Sequence, residues 1–137
     1  MNISKQVVIL SAERSENSKE VNAANNELLA ANIKDLGLPF SIGSGVYQNG
    51  PEEVSLVVGV NSSSDIEKLK EIAFKGFNQE SILHQDANQE AYLIYQNGKI
   101  QRLGRLEEVA KEVAVNTCNY TILNGKYYTV LPRAVSR

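Results

Sequence analysis

The apolar positions along this chain fall into short blocks that follow two periods. Val7-Val8-Ile9-Leu10 is a continuous, mostly β-branched run ahead of the polar stretch Ser11 to Asn17, and it reads as a strand buried on both faces. Asn17 with Glu20 three residues on resembles a capping box, and Val21, Ala24, Leu28, Ile33 and Leu36 follow at roughly helical spacing. Gly37 and Pro39 end that helix. Asn22, Asn25, Asn26 and Asn32 are assigned to its wet face, with a binding role as the alternative. Phe40 to Tyr47 and Val54 to Val60 read as strands around the turn Asn49-Gly50-Pro51. In the second strand Val54, Leu56, Val58 and Val60 make a core face. Glu53, Ser55, Val57 and Gly59 make a mixed face, expected to meet solvent, a ligand or another subunit.

Ser64 and Glu67 form a second capping box for a helix carrying Ile66, Leu69 and Ala73 and ending at Gly76. Strands follow at Ser81 to His84 and Ala91 to Tyr95, the latter paired through Asn97-Gly98 with Lys99 to Leu103. A short helix is expected over Leu106 to Val113. Asn119 to Leu123 and Tyr127 to Leu131 close the chain as a hairpin about Asn124-Gly125. The order β-α-β-β-α-β predicts an α+β, ferredoxin-like antiparallel sheet with both helices on one face, plus extra C-terminal β-hairpins. Its uncovered face is the expected oligomer interface.

Composition narrows the class. At 137 residues, 42% hydrophobic, the chain has room for one domain over residues 1–137 with a core that needs no staple. The single Cys118 excludes an internal disulfide, and one His leaves no Cys/His set for zinc. No metal or cofactor is expected. A net charge of −2 argues against nucleic acid as the main partner. No apolar run is long enough for a membrane span, and Met1 to Lys5 lacks a signal-peptide layout, so a cytoplasmic location is expected.

Few familiar sites fit. Ile42-Gly43-Ser44-Gly45 contains G-x-G but lacks the strand-to-helix setting of a dinucleotide loop, and reads as a flexible strand end. His84 has no oriented nucleophile nearby, and Cys118 reads as a small packing residue. The stretch Gly45 to Glu53 places the phenol of Tyr47 at one strand end and the carboxylate of Glu53 at the start of the next. An acid beside an aromatic face suits a small cationic ligand. The alternative is a solvated turn with two ordinary glutamates.

The segments "VVILSAERS", "EVNAANNELLAANIKDLG", "GVYQNGPEEVSLVV", "FNQESIL", "AYLIYQNGKIQRLGRLEEV" and "CNYTILNGKYYTV" run through nearly the whole chain. In that order they resemble a bacteriophage family of S-adenosylmethionine (SAM)-cleaving enzymes, the SAM lyases, formerly called SAM hydrolases. The resemblance implies a homotrimer with active sites between subunits. It also implies cleavage of SAM to 5′-methylthioadenosine and homoserine lactone, which depletes the methyl donor of host restriction. It places the family's key glutamate at Glu53 and its key tyrosine at Tyr47, with Gln79 and Glu80 in the ligand pocket. Ser11 and Arg14 fall at a recurring position taken as substrate-binding. The segment between Tyr47 and Glu53 is shorter than in other members, which leaves Glu52 competing for the role, although strand alternation favours Glu53. Hydrolysis of SAM to homoserine, a non-catalytic module that sequesters a nucleotide-like ligand, and a host SAM-synthesising enzyme as a further partner complete the expectations.

Overall fold

A computed structural model describes residues 6–47 and 49–131. The reading of Met1 to Lys5 lies outside the described residues, as does Gln48 of the turn. The elements are β1 (Val7–Leu10), α1 (Lys19–Asp35), β2 (Phe40–Val46), β3 (Glu53–Gly59) and α2 (Ser63–Glu71), which runs into a π turn at Ile72–Gly76. Then come β4 (Ser81–Gln85), β5 (Glu90–Tyr95), β6 (Ile100–Val109), α3 (Lys111–Val115), β7 (Tyr120–Leu123) and β8 (Lys126–Leu131).

The eight strands close into an antiparallel barrel in the order β1-β3-β2-β7-β8-β6-β5-β4. This overturns the expected ferredoxin-like open sheet. The first four strands do lie in the order β4-β1-β3-β2, every neighbour antiparallel. The strands expected to be appended hairpins are instead the other half of the wall. β5 continues from β4, β7 pairs with β2, and β6 and β8 join them. The physical reason is in β1 and β3, which are apolar on both faces. Val8, Leu10, Leu56 and Val58 pack outward with Leu29 and Ile33 of α1 and Leu69 of α2. Val7, Ile9 and Val57 face the other way and are as deeply buried, with Ala91, Leu106, Leu123 and Tyr128. An open sheet would leave that second face in water; closure buries it and removes the sheet edges. The face of β3 expected to be mixed is thus the barrel interior, so the sheet face opposite the helices is not the open face that was expected to form an oligomer interface.

Local differences have local causes. The predicted helix at Leu106 does not begin there: β6 runs to Val109, bent where Gly104 adopts φ 137° beside a register shift against β5, and Leu106 packs inside. Only Lys111–Val115 is helical. The caps are Ser18, whose side chain accepts the Val21 N–H, and Ser62, which accepts that of Asp65. On α1, Val21 and Leu28 are exposed while Leu29 and Ile33 are completely buried. The inward stripe therefore runs Asn22, Asn26, Leu29, Ile33, at helical i, i+4, i+7, i+11 spacing. The first two of its members had been placed on the wet face. Gly43 is not a flexible end but a wall position, where a Cβ would collide with the Ile122 carbonyl. Cys118 is exposed rather than packed, and accepts a weak hydrogen bond from Asn49 Nδ2 at 3.4 Å.

Candidate active site

One end of the barrel opens into a cleft of about 410 Å³. It sits where β1 ends and β3, β4 and β7 begin, so antiparallel pairing brings residues remote in sequence to one rim. Ile9, Leu83 and Leu93 line its apolar part, and Ser11, Glu13, Arg14, Tyr47, Glu53 and Glu80 are among its polar residues. Within this lining four glutamates (Glu13, Glu16, Glu53, Glu80) face one basic side chain, Arg14. That guanidinium is engaged by Glu16 Oε2 at 2.8 Å and by the carbonyl of Asn78. Both partners stabilise their charged forms: Glu16 is held below the usual carboxylate range, first by the Arg14 hydrogen bond, and Arg14 is raised by it. The remaining carboxylates give the cleft a negative field.

Glu53 opens β3 directly opposite Gly45 of β2. Alternation from the interior residues Ser55 and Val57 aims it into the barrel mouth. Partial burial raises its proton affinity above that of an ordinary glutamate, and the neighbouring charge of Glu13 adds to the effect. Glu52 points away: its carboxylate accepts a hydrogen bond from Ser44 Oγ at 2.6 Å on the exposed side, and it does not line the cleft. The geometry thus puts Glu53, not Glu52, in the cleft.

Tyr47 follows the last residue of β2 and folds back across Gly45. A Cβ on Gly45 would lie 2.8 Å from the Tyr47 Oη and 3.0 Å from Ser55 Oγ, so glycine is what lets the ring lie flat there. The ring has an open side, with the residue 39% exposed, but its hydroxyl end is tucked in, 3.3 Å from Ser55 Oγ. Burial of that end raises the phenol pKa; hydrogen bonding to Ser55 and Thr121 acts against this, and the nearby Glu53 charge adds to it. A neutral phenol and a carboxylate therefore stand side by side at the rim.

All six residues singled out from the sequence border this cleft, though not all direct their polar groups into it. Ser11 Oγ accepts the N–H of Glu13, a turn contact at 3.1 Å. Gln79 Nε2 donates to the Glu13 carbonyl at 3.1 Å, and Glu80 is exposed at the entrance. Glu13, Glu16, Tyr95 and Asn119 also line the cleft and were not singled out. No period in the sequence marks Glu13: its tie to Asn26, and that of the next residue to Asn22, are contacts between the loop and the inner stripe of α1.

The sequence profile of the S-Adenosylmethionine lyase family matches residues 8–131, which takes in every strand but for the first residue of β1, and every residue that lines the cleft. The chain belongs to the S-adenosylmethionine lyase family. Among curated proteins none matches it. Membership of the S-adenosylmethionine lyase family makes SAM the small-molecule substrate and the chain a SAM-cleaving enzyme. An acidic, partly aromatic cleft suits such a cationic substrate. Among the described residues no helix is long and apolar enough to cross a membrane.

Proposed function

We propose that the chain converts SAM to 5′-methylthioadenosine and L-homoserine lactone, with Glu53 and Tyr47 holding the methionine end of the substrate. The observation that carries this reading is the pairing of Glu53 with Tyr47 at the rim of a cleft whose lining, among the described residues, supplies carboxylates and phenols but no His, Cys or Lys. The chemistry asks for little more. The substrate carboxylate oxygen attacks the γ-carbon, the bond from that carbon to sulfur breaks, and its electron pair neutralises the sulfonium as thioether. No proton moves. Well-oriented intramolecular attack reaches effective molarities on the order of 10⁵ M or more, so the protein's task is to keep the tail curled. Positive charge on sulfur is lost in the transition state, so a carboxylate beside sulfur would favour the ground state. Glu53 therefore acts on the ammonium group, and the Tyr47 ring packs against the ligand.

A second reading is supported by the raised proton affinity of Glu53, which suits a general base for water and gives homoserine directly. Reaction in ¹⁸O-water separates the two. The lyase leaves the first-formed lactone unlabelled, whereas label incorporated during turnover means hydrolysis. SAM returned intact by folded protein overturns both and leaves a sequestering module. The same proposal extends to a homotrimer with shared sites, for which the outward-facing Ile42, 63% exposed on β2, offers apolar contact surface; light scattering reads the mass directly. In a bacteriophage-infected cell the reaction would act in the host cytoplasm and remove the methyl donor on which restriction depends.

A further inference from the structure

Beside the Tyr47–Glu53 pair, the loop that leaves β1 does something its sequence does not announce. β1 and β3 pair through Val7↔Gly59, Val8↔Val58, Ile9↔Val57 and Leu10↔Leu56. Continued in register, that series would set Ser11 against Ser55 and then Ala12 against Val54, but the chain turns away at Ser11. The Val54 N–H instead donates to Glu13 Oε2 at 2.6 Å. The same oxygen accepts Asn26 Nδ2 of α1 at 3.1 Å, and the Glu13 carbonyl accepts Gln79 Nε2. Asn22 clamps the following residue through both its amide groups, at 3.0 and 3.1 Å. A side-chain carboxylate held by β3 and α1, on a backbone tied down by Gln79, thus completes the edge of β3 one residue from Glu53.

We propose that Glu13 is a positioning residue for Glu53: its carboxylate replaces the missing backbone rung at Val54 and sets a second negative charge beside the cleft acid. The inference rests on Glu53 serving as the substrate-holding group. Charge and reach are separable. Arg14 and Glu16 on the same loop, Glu80 ahead of β4, and the phenols of Tyr47 and Tyr95 are the other charged or titratable groups around the cleft. Of these, Arg14 is bonded to Glu16 and the Asn78 carbonyl rather than to Glu13.

The test compares Glu13→Gln with Glu13→Asp in the full chain. Glutamine keeps an acceptor in reach of Val54 but loses the charge, and the acid limb of the pH profile of kcat/KM should move down by roughly half a pH unit or more. Aspartate keeps the charge but falls short of Val54, and kcat should drop on the order of 10- to 100-fold with a smaller movement of the limb. A wild-type acid limb in Glu13→Gln, or wild-type kcat in Glu13→Asp, overturns the proposal. NMR titration of the Glu53 carboxyl in Glu13→Gln, read against wild type, follows the charge without turnover. Its result stands even if the wild-type protein proves not to cleave SAM, which would overturn the proposed function alone. Should Glu13→Gln not fold, the same titration in Asn26→Ala, where the anchor of Glu13 is cut, must also shift if the proposal holds.

Discussion

The two halves of the barrel wall are built from the same kind of strand pairing yet do different work. The half made by β4, β1, β3 and β2 is covered outside by α1 and α2, and its central strands are buried on both faces. The half made by β5, β6, β8 and β7 has only the five-residue α3 against it, and β6 is largely exposed along its outer side. Chemistry follows the cover. Tyr47, Glu53, Glu13, Arg14, Gln79 and Glu80 all come from the covered half or the loops attached to it, while the bare half adds Leu93, Tyr95 and Asn119. A strand held rigid from both sides can fix a carboxylate against its own tendency to move toward water. The bare half mainly closes the wall.

Replacing one rim residue from each half is the sharpest way to break this comparison. Glu53→Gln should lower kcat/KM by on the order of 10² to 10³, the range seen when one key electrostatic contact is removed from an active site. Tyr95→Phe should stay within about threefold, because the Tyr95 hydroxyl already donates to Gln101 at 2.9 Å. Glu52→Gln belongs with Tyr95→Phe, since Glu52 meets Ser44 outside. Equal losses at Glu53 and Tyr95, measured on SAM turnover, would mean that both halves carry the chemistry.

Stability should divide along the same line. Ile33→Ala empties a fully buried position between α1 and the sheet, and a loss of about 2–5 kcal/mol is expected by urea unfolding. Ile100→Ala, at a side chain 63% exposed on β6, should stay within about 0.5 kcal/mol. Comparable losses at the two positions would show that the outer side of β6 is covered in solution, as an assembly of copies would do.

How much of this was legible in the sequence depends on which forces were local. The both-faces-apolar run Val7–Leu10, the core face of β3, the left-handed stop at Gly37 and the Asn124-Gly125 turn are set by neighbours in sequence, and the structure has them. Barrel closure is not local. It follows from a need to bury Val7, Ile9 and Val57, and only the pairing of β2 with β7 reveals how that need is met. The asparagines of α1 misled for a related reason. Asn22 and Asn26 are polar yet inward, because the loop they face offers backbone and carboxylate partners that no periodicity displays. Glu53 and Tyr47 were legible in direction, because strand alternation and a strand end fix where they point, while their role came from the family resemblance. Glu13 was not, because its partner is a backbone N–H 41 residues away.

Within the covered half, Gly45 tests whether the rim tolerates any change of shape. Gly45→Ala places a methyl against the Tyr47 ring and Ser55 Oγ, so the ring must lift away. A loss of kcat/KM of about 10- to 100-fold is expected, the scale of a misplacement of about 1 Å, with the fold retained by circular dichroism. Tyr47→Phe keeps the ring over Gly45 and loses only the hydroxyl's contacts with Ser55, at 3.3 Å, and Thr121, and should cost less than Gly45→Ala. The reverse order would mean that the phenol oxygen, rather than the placement of the ring, matters.

The smallest effect has the most direct bearing on why the covered half holds its acid so firmly. Burial, with Glu13 second, raises the proton affinity of Glu53 in the folded chain, so between the ordinary glutamate pKa and the raised one the folded state binds more protons than the unfolded state. Stability contributed by this group is therefore complete below the ordinary value and is lost as pH rises through the raised one. Glu53→Gln carries no such charge, and above that window it should melt higher than wild type. With solvent screening of a half-exposed group the gain is about 1–2 °C in Tm. The difference should vanish as the pH is lowered until Glu53 is protonated in both states. Thermal melts of the two proteins across that range decide the matter. A variant that gains stability as it loses turnover is what a strained, functional carboxylate predicts, whereas one that melts lower at neutral pH would show that the Glu53 charge is a structural contact of the barrel.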